Sequence, residues 1–310
     1  MKEPTIAFIG SGRFAARCLE IIAARVRPLW VLTAAPRAAG RGLFLQNTAV
    51  WELAEKLSLP CCTTEKLSAD SERVEWIKEN APDLILVIDF GQMIKEPVLS
   101  AAPYGCLNIH PSRLPRYRGS APIQRALMDG LTATAVTLFR LDEGMDSGPL
   151  LAQPELEIDA RDDYASLLEK AALLGSETLL RLLCEDGPAS WRFTPQPSEG
   201  ASLAPKIDKA EGRIDWQLPA REIVNRIRGI GKAPGVYCTA RGKRLRIHAA
   251  DAVDVPSGEA GCCAVIDGRP AIICGEGALL LTEVQPEGKR ALRAEDWARG
   301  LRICGGERLE

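Results

Sequence analysis

The sequence is poor in histidine, with two among 310 residues, and it has no Cys-x-x-Cys pair. A zinc site is therefore badly supplied, and no metal is expected. Cysteine itself is not scarce, at 10 residues, but Cys61-Cys62 and Cys262-Cys263 are adjacent, a spacing that rarely forms a bridge. Cys106, Cys184 and Cys274 lie in apolar runs, where a free thiol acts as a small hydrophobe. This usage fits a reducing compartment, and a cytoplasmic location is expected. No apolar run is long enough to span a bilayer, and the opening residues, Met1 to Ile6, read as a short strand rather than a signal peptide. A net charge of −2 excludes a generally basic nucleic-acid binder.

What is present is a chain long enough for about two domains, with 46% hydrophobic and 26% charged residues, as in ordinary globular proteins. Its charge is uneven. Residues 206–246 hold 11 Lys/Arg against 4 Asp/Glu, a local +7 suited to a polyanion or to a solvated face.

Thr5–Ile9 is an apolar run ending in Gly10-Ser11-Gly12-Arg13-Phe14-Ala15, and an amphipathic helix follows to about Val26. Strand, glycine turn and helix open a doubly wound α/β fold, with backbone N–H groups at the helix start free to meet an anion or a carbonyl. The dinucleotide fingerprint also needs an acidic residue after the second strand, and Pro28–Thr33 is followed by Ala34-Ala35-Pro36-Arg37 instead. A nicotinamide cofactor is thereby disfavoured. Ala38 to Gly42 reads as a flexible loop that contains Arg41 and follows Arg37. Helices are predicted over 47–58, 68–80, 121–130 and 162–184. The unbroken run Leu84–Ile88 is predicted to be a strand buried on both faces. Gly187 to Ala201, with Pro188, Pro195 and Pro197, reads as a linker. Beyond Gly235, short strands at 236–240, 244–250, 263–266, 270–274 and 278–284 suggest a small, OB-like β-barrel. The expected division is 1–189, a linker over 190–205, and 206–310.

The chemistry concentrates on Leu107-Asn108-Ile109-His110-Pro111-Ser112. In an extended segment residues i and i+2 share a side, so Asn108 and His110 converge. After the strand-like run Ala135–Phe139, the glycine-flanked Asp142–Gly148 loop is expected to bring Asp146 to the same sheet edge. An amide, an imidazole and a carboxylate together can stabilise an oxyanion and move protons. No Ser or Cys stands ready as a nucleophile beside His110, which favours direct acyl transfer over a covalent enzyme intermediate.

Asn108-x-His110-x-Ser112-x-Leu114-Pro115, then Arg118-Gly119-x-Ala121-Pro122-Ile123-Gln124, then Asp142-x-Gly144-x-Asp146-x-Gly148, closely resembles the folate-dependent formyltransferases. The Ala-Pro-Ile-Gln form is similar to the branch of that family acting on aminoacylated initiator tRNA. The resemblance implies an N-terminal Rossmann-like formyltransferase domain and a C-terminal tRNA-binding barrel. It implies transfer of the formyl group of 10-formyltetrahydrofolate to the α-amine of methionyl initiator tRNA. Asn108, His110 and Asp146 would form the catalytic trio. Phe90, Gly91, Ser112, Arg113, Leu114, Pro115, Asp142 and Gly144 would contact the folate. Arg37, Arg41, Lys206 and Arg213 would meet tRNA. A monomer is expected. A nucleotide-sugar amine formyltransferase and a 10-formyltetrahydrofolate hydrolase are the alternatives within the superfamily. The chain departs from the family pattern at Pro111 for glycine, Arg113 for leucine, Asp89-Phe90-Gly91 for Ala-Tyr-Gly, and in 228–235, which lacks the usual aromatic.

Overall fold

The computed structural model describes residues 4–39, 44–185, 187–255, 258–303 and 305–310. The expected glycine turn opens the fold: β1 (Ile6–Gly10) leads through Ser11 and Gly12 into α1 (Arg13–Ala23). There follow β2 (Val31–Ala34), the hairpin β3 (Arg37–Ala39) and β4 (Phe44–Gln46), α2 (Ala49–Lys56), β5 (Cys61–Thr64) and α3 (Ser71–Glu79). Thr48 and Asp70 cap α2 and α3 by accepting the N–H of Trp51 and Arg73. Then come β6 (Leu84–Ile88), β7 (Cys106–His110), α4 (Pro122–Met128), β8 (Ala133–Ala135), β9 (Thr137–Arg140), β10 (Leu150–Ala152), β11 (Glu155–Glu157) and α5 (Tyr164–Glu185).

Seven strands form one sheet in the order β10-β9-β7-β6-β1-β2-β5. From β7 to β5 the pairings are parallel, whereas β9 and β10 are antiparallel. Every residue of β1 and β6 is buried, as strands covered on both faces require. Strand alternation sends Ala7, Ile9, Ile85, Val87 and Cys106 into one core with Trp30, Ile77 and Phe90. Over β7, α5 comes so close that a Cβ on Gly175 would lie 2.4 Å from Ile109 Cγ2.

The run Ala135–Phe139, expected as one strand, is two. Val136 hands its N–H to Pro154 and separates β8, which pairs with β11, from β9, which pairs with β7. Of the loop expected at 38–42, Ala38 and Ala39 belong to β3, which pairs antiparallel with β4, and 40–42 lie outside the described residues; Phe44 and Leu45 of β4 are 74% and 76% exposed.

The second unit contains residues 206–310 together with 123–132 and 159–166. Several contacts tie these pieces together. Arg125 pairs with Glu211, Arg228 donates to the carbonyls of Asp162 and Asp159, and a Cβ on Gly229 would lie 2.6 Å from the Gln124 carbonyl. After α6 (Ala220–Ile230), β12 (Val236–Ala240), β13 (Lys243–Val253), β14 (Cys263–Ile266), β15 (Arg269–Ile273), β16 (Ala278–Pro286) and β17 (Leu292–Arg293) build an antiparallel sheet ordered β12-β13-β16-β15-β14, with β17 on β16 and α7 (Ala294–Leu301) following. The chain end bridges the two outer strands. Glu310 exchanges both backbone hydrogen bonds with Thr239 of β12, while Cys263 of β14 donates to Glu307 and accepts from Gly306.

The stretch 190–205, expected as a linker, is bonded to the first unit. Thr194 exchanges two hydrogen bonds with Leu150, Arg118 donates to Ser202, and Ala204 donates to Arg118. Proline and glycine there end regular structure without freeing the chain, because neighbouring backbone takes up its polar groups.

Candidate active site

Asn108 and His110 lie on one face of β7, as alternation predicts. His110 is 5% exposed, packed edge-on against Phe139. Its Nε2 lies 2.9 Å from the Tyr117 carbonyl. A carbonyl only accepts, so Nε2 carries the hydrogen and the other nitrogen is left for chemistry. That nitrogen, Nδ1, faces Asp146 Oδ2 at 3.8 Å. The gap is too long for a hydrogen bond and short enough for strong attraction once the ring is charged.

Asp146 does not reach this point by the expected route. Since β9 runs antiparallel to β7, Arg140 ends beside Leu107, not beside His110. The chain after β9 returns far enough for Asp146 to meet the imidazole. Asp146 sits at φ +49°, a region few non-glycine residues adopt, and its Oδ2 accepts the Gly119 N–H at 2.7 Å. Asp142 and Gly144 shape this loop: Asp142 Oδ1 accepts from the Gly144 N–H at 3.0 Å and from the Ser147 hydroxyl at 2.8 Å.

The segment after His110 rests on Thr137. The Thr137 hydroxyl donates to the Ser112 carbonyl at 2.6 Å and accepts from Leu114 N–H and from the Gln153 amide. Ser112 and Leu114 are buried, and the Ser112 hydroxyl donates to the Arg116 carbonyl. Pro115 is buried too. Arg113 turns to the Thr134 carbonyl and to Glu155 at 2.9 Å. Phe90 is 5% exposed and its ring packs in the core with Ile9 and Val87. Gly91, at φ +74°, has open space where a Cβ would stand. The Oδ1 of Asn108 is buried and without a partner, so its amide is not consumed by the fold.

The glycine turn holds a contact that its own residues do not announce. The N–H groups at the start of α1, expected to be free, are taken by one residue. Ser11 and Gly12 donate to the Asp89 carbonyl, both at 3.1 Å, and Phe14 and Ala15 donate to its carboxylate. A Cβ on Gly12 would lie 1.7 Å from Asp89 Oδ2, so glycine is needed for the carboxylate to enter. The residue stays open to water on one side, yet burial of its carboxyl among protein atoms pushes the pKa up to about 6 from the usual 3.8, against the pull of the Ala15 and Phe14 donors. A raised carboxyl pKa means that the folded state holds the proton more tightly than the unfolded chain. This group's contribution to stability is therefore greatest below about pH 4 and is lost as the pH rises to about 6. Asp89→Asn removes that dependence. Between pH 4 and pH 7 the melting temperature of the variant is expected to rise relative to wild type. An unchanged difference across that range would contradict the assignment.

Of the residues expected at tRNA, Arg37, Lys206 and Arg213 are exposed, and Arg41 lies outside the described residues. Part of the local positive charge serves the fold: Arg228 holds carbonyls, Arg241 pairs with Glu307, and Arg244 covers the Tyr237 ring. Lys206, Lys209, Arg213, Arg221, Lys232 and Lys243 remain on the surface. Among the described residues no group of three or more His, Cys, Asp or Glu side chains could hold a metal ion, and no helix is long and apolar enough to cross a membrane.

Residues 5–183 match the family described as formyl transferase, and residues 206–302 match the formyl transferase C-terminal domain. The chain is 40% identical over 302 residues to the methionyl-tRNA formyltransferase of Paracoccus denitrificans (strain Pd 1222), covering 96% of this chain and 98% of that one. To the protein of that name from Myxococcus xanthus (strain DK1622) it is 37% identical over 309 residues, covering 99% and 98%. The fold is shared with WlaRD, a sugar 3N-formyl transferase solved in the presence of dTDP and 5-N-formyl-THF, at a TM-score of 0.65 and 17% identity over 94% of this chain and all of that one. The chain belongs to the formyl transferase family, in its methionyl-tRNA formyltransferase branch.

Proposed function

We propose that this protein transfers the formyl group of 10-formyltetrahydrofolate to the α-amine of methionyl initiator tRNA. The observation that carries the acceptor is the extent of the likeness. Relatives named for that reaction match over 96–99% of the chain, the C-terminal unit included.

The arrangement around His110 supports a direct transfer. With Nε2 engaged by the Tyr117 carbonyl, Nδ1 accepts the proton that the amine loses as its nitrogen bonds the formyl carbon. The Asp146 carboxylate stabilises the imidazolium so formed across 3.8 Å. Asn108, turned about its terminal bond, presents an amide N–H to the developing oxyanion. His110 then returns the proton to the folate nitrogen as the carbon–nitrogen bond to that leaving group breaks. Atoms balance without an oxidant, a metal or a covalent enzyme intermediate.

Residues for the folate supply backbone more than side chain. Ser112, Leu114 and Pro115 are buried, and Gly91 leaves open space for close approach to its main chain. For tRNA, exposed Arg37, Lys206 and Arg213 neutralise phosphates, the term that dominates such affinity.

The test is release of tetrahydrofolate from 10-formyltetrahydrofolate with and without methionyl initiator tRNA. Release that depends on the tRNA is expected. Equal release without it would make the protein a hydrolase.

A further inference from the structure

The segment 190–205 reaches the Asp146 loop through the Gln196 side chain. Gln196 Nε2 donates to two carbonyls of the Asp146 loop, those of Asp146 and Gly148, both at 2.8 Å. Its Oε1 accepts from Arg118 Nη2 at 2.6 Å, which fixes which end of the amide faces the loop. Arg118 is itself held at both backbone polar groups, by Ser202 at 2.8 Å and Ala204 at 2.6 Å. The next residue, Gly119, donates to Asp146 Oδ2. Asp146 is thus gripped twice, its carboxylate by the 117–119 turn and its carbonyl by Gln196.

Asp146 occupies the left-handed region at φ +49°, which few non-glycine residues adopt but aspartate tolerates, so the contacts around it decide where the loop sets its carboxylate. Asp146 makes no hydrogen-bond-length contact with His110, so nothing between the two fixes their 3.8 Å separation. The separation is set from behind.

We infer that Gln196 is a positioning residue for formyl transfer, holding the carbonyls of Asp146 and Gly148 so that the Asp146 carboxylate faces His110 Nδ1. The inference rests on the role proposed above for Asp146. Misplacement of a reacting group by about 1 Å can cost about 10²-fold in rate. Gln196→Leu keeps the size of the side chain and deletes the donors. It is expected to lower kcat about 10- to 10²-fold with little change in KM for either substrate. Gln196→Glu keeps the shape, sets a carboxylate against two carbonyls, and is expected to lose a similar factor.

The experiment is a double-mutant cycle with Asp146→Asn, each variant checked for a cooperative thermal transition. Where Gln196 acts through the Asp146 carboxylate, its replacement costs roughly tenfold or more in wild type and no more than about twofold in the Asp146→Asn background, as expected for groups working as one unit. An equal factor in both backgrounds, or no loss in wild type, would overturn the positioning role. If Gln196→Leu shows no cooperative transition, the cycle with Gln196→Glu decides. Normal turnover of Asp146→Asn alone would sink the catalytic reading of Asp146, an outcome distinct from failure of the positioning role.

Discussion

Replacing His110 with alanine is expected to lower turnover by about 10²- to 10⁴-fold, the range contributed by a positioned general acid–base group. The geometry leaves no substitute. Nδ1 is the ring nitrogen free to move a proton, the ring is buried against Phe139, and the only other histidine, His248, is bonded to Gln285 on the second unit's sheet. Because the imidazole fills a packed site, its loss also opens a cavity, so the variant must show wild-type circular dichroism before its rate is interpreted. Steady-state formylation provides the check. A folded His110→Ala with near wild-type turnover would refute the proton-transfer role.

Asp146→Asn comes next, with an expected fall of at least about 10²-fold in kcat. Asparagine keeps an oxygen to accept the Gly119 N–H, and both residues tolerate the left-handed conformation, so the loop retains its shape. What disappears is the charge. A neutral amide at 3.8 Å gives a protonated His110 much less attraction than a carboxylate in a site shielded from water. The same formylation assay tests it, with the apparent KM for 10-formyltetrahydrofolate as control. A large rise in KM at unchanged kcat would move Asp146 from the chemistry to donor binding.

The sequence was informative wherever one physical rule governs several neighbouring residues. The apolar run Leu84–Ile88 is a strand at those bounds because a strand covered on both faces needs an unbroken run. Asn108 and His110 share a face because side-chain alternation is local. What escaped depends on contacts between distant residues. Nothing in Ala135–Phe139 signals that Val136 gives its N–H to Pro154 and splits the run in two. The direction of β9 was equally hidden, since a strand of four residues reads alike parallel or antiparallel. Gly10-Ser11-Gly12 announced a helix start with free N–H groups, but not that Asp89, more than 75 positions later, would fill them. Gln196 was lost inside a proline-rich stretch read as a linker, because composition reports where regular structure stops and not where the chain is pinned. The one available signal was Asp89 itself, an acidic residue where the family pattern has alanine.

The most direct measurement is single-turnover formylation with excess protein and 10-formyltetrahydrofolate, offering methionyl initiator tRNA in one reaction and a nucleotide amino-sugar in another. The account predicts formyl transfer to the tRNA and none to the sugar. Transfer to the sugar alone would contradict the acceptor assignment while leaving His110 and Asp146 in place, and transfer to neither would contradict the formyl-transfer reading itself.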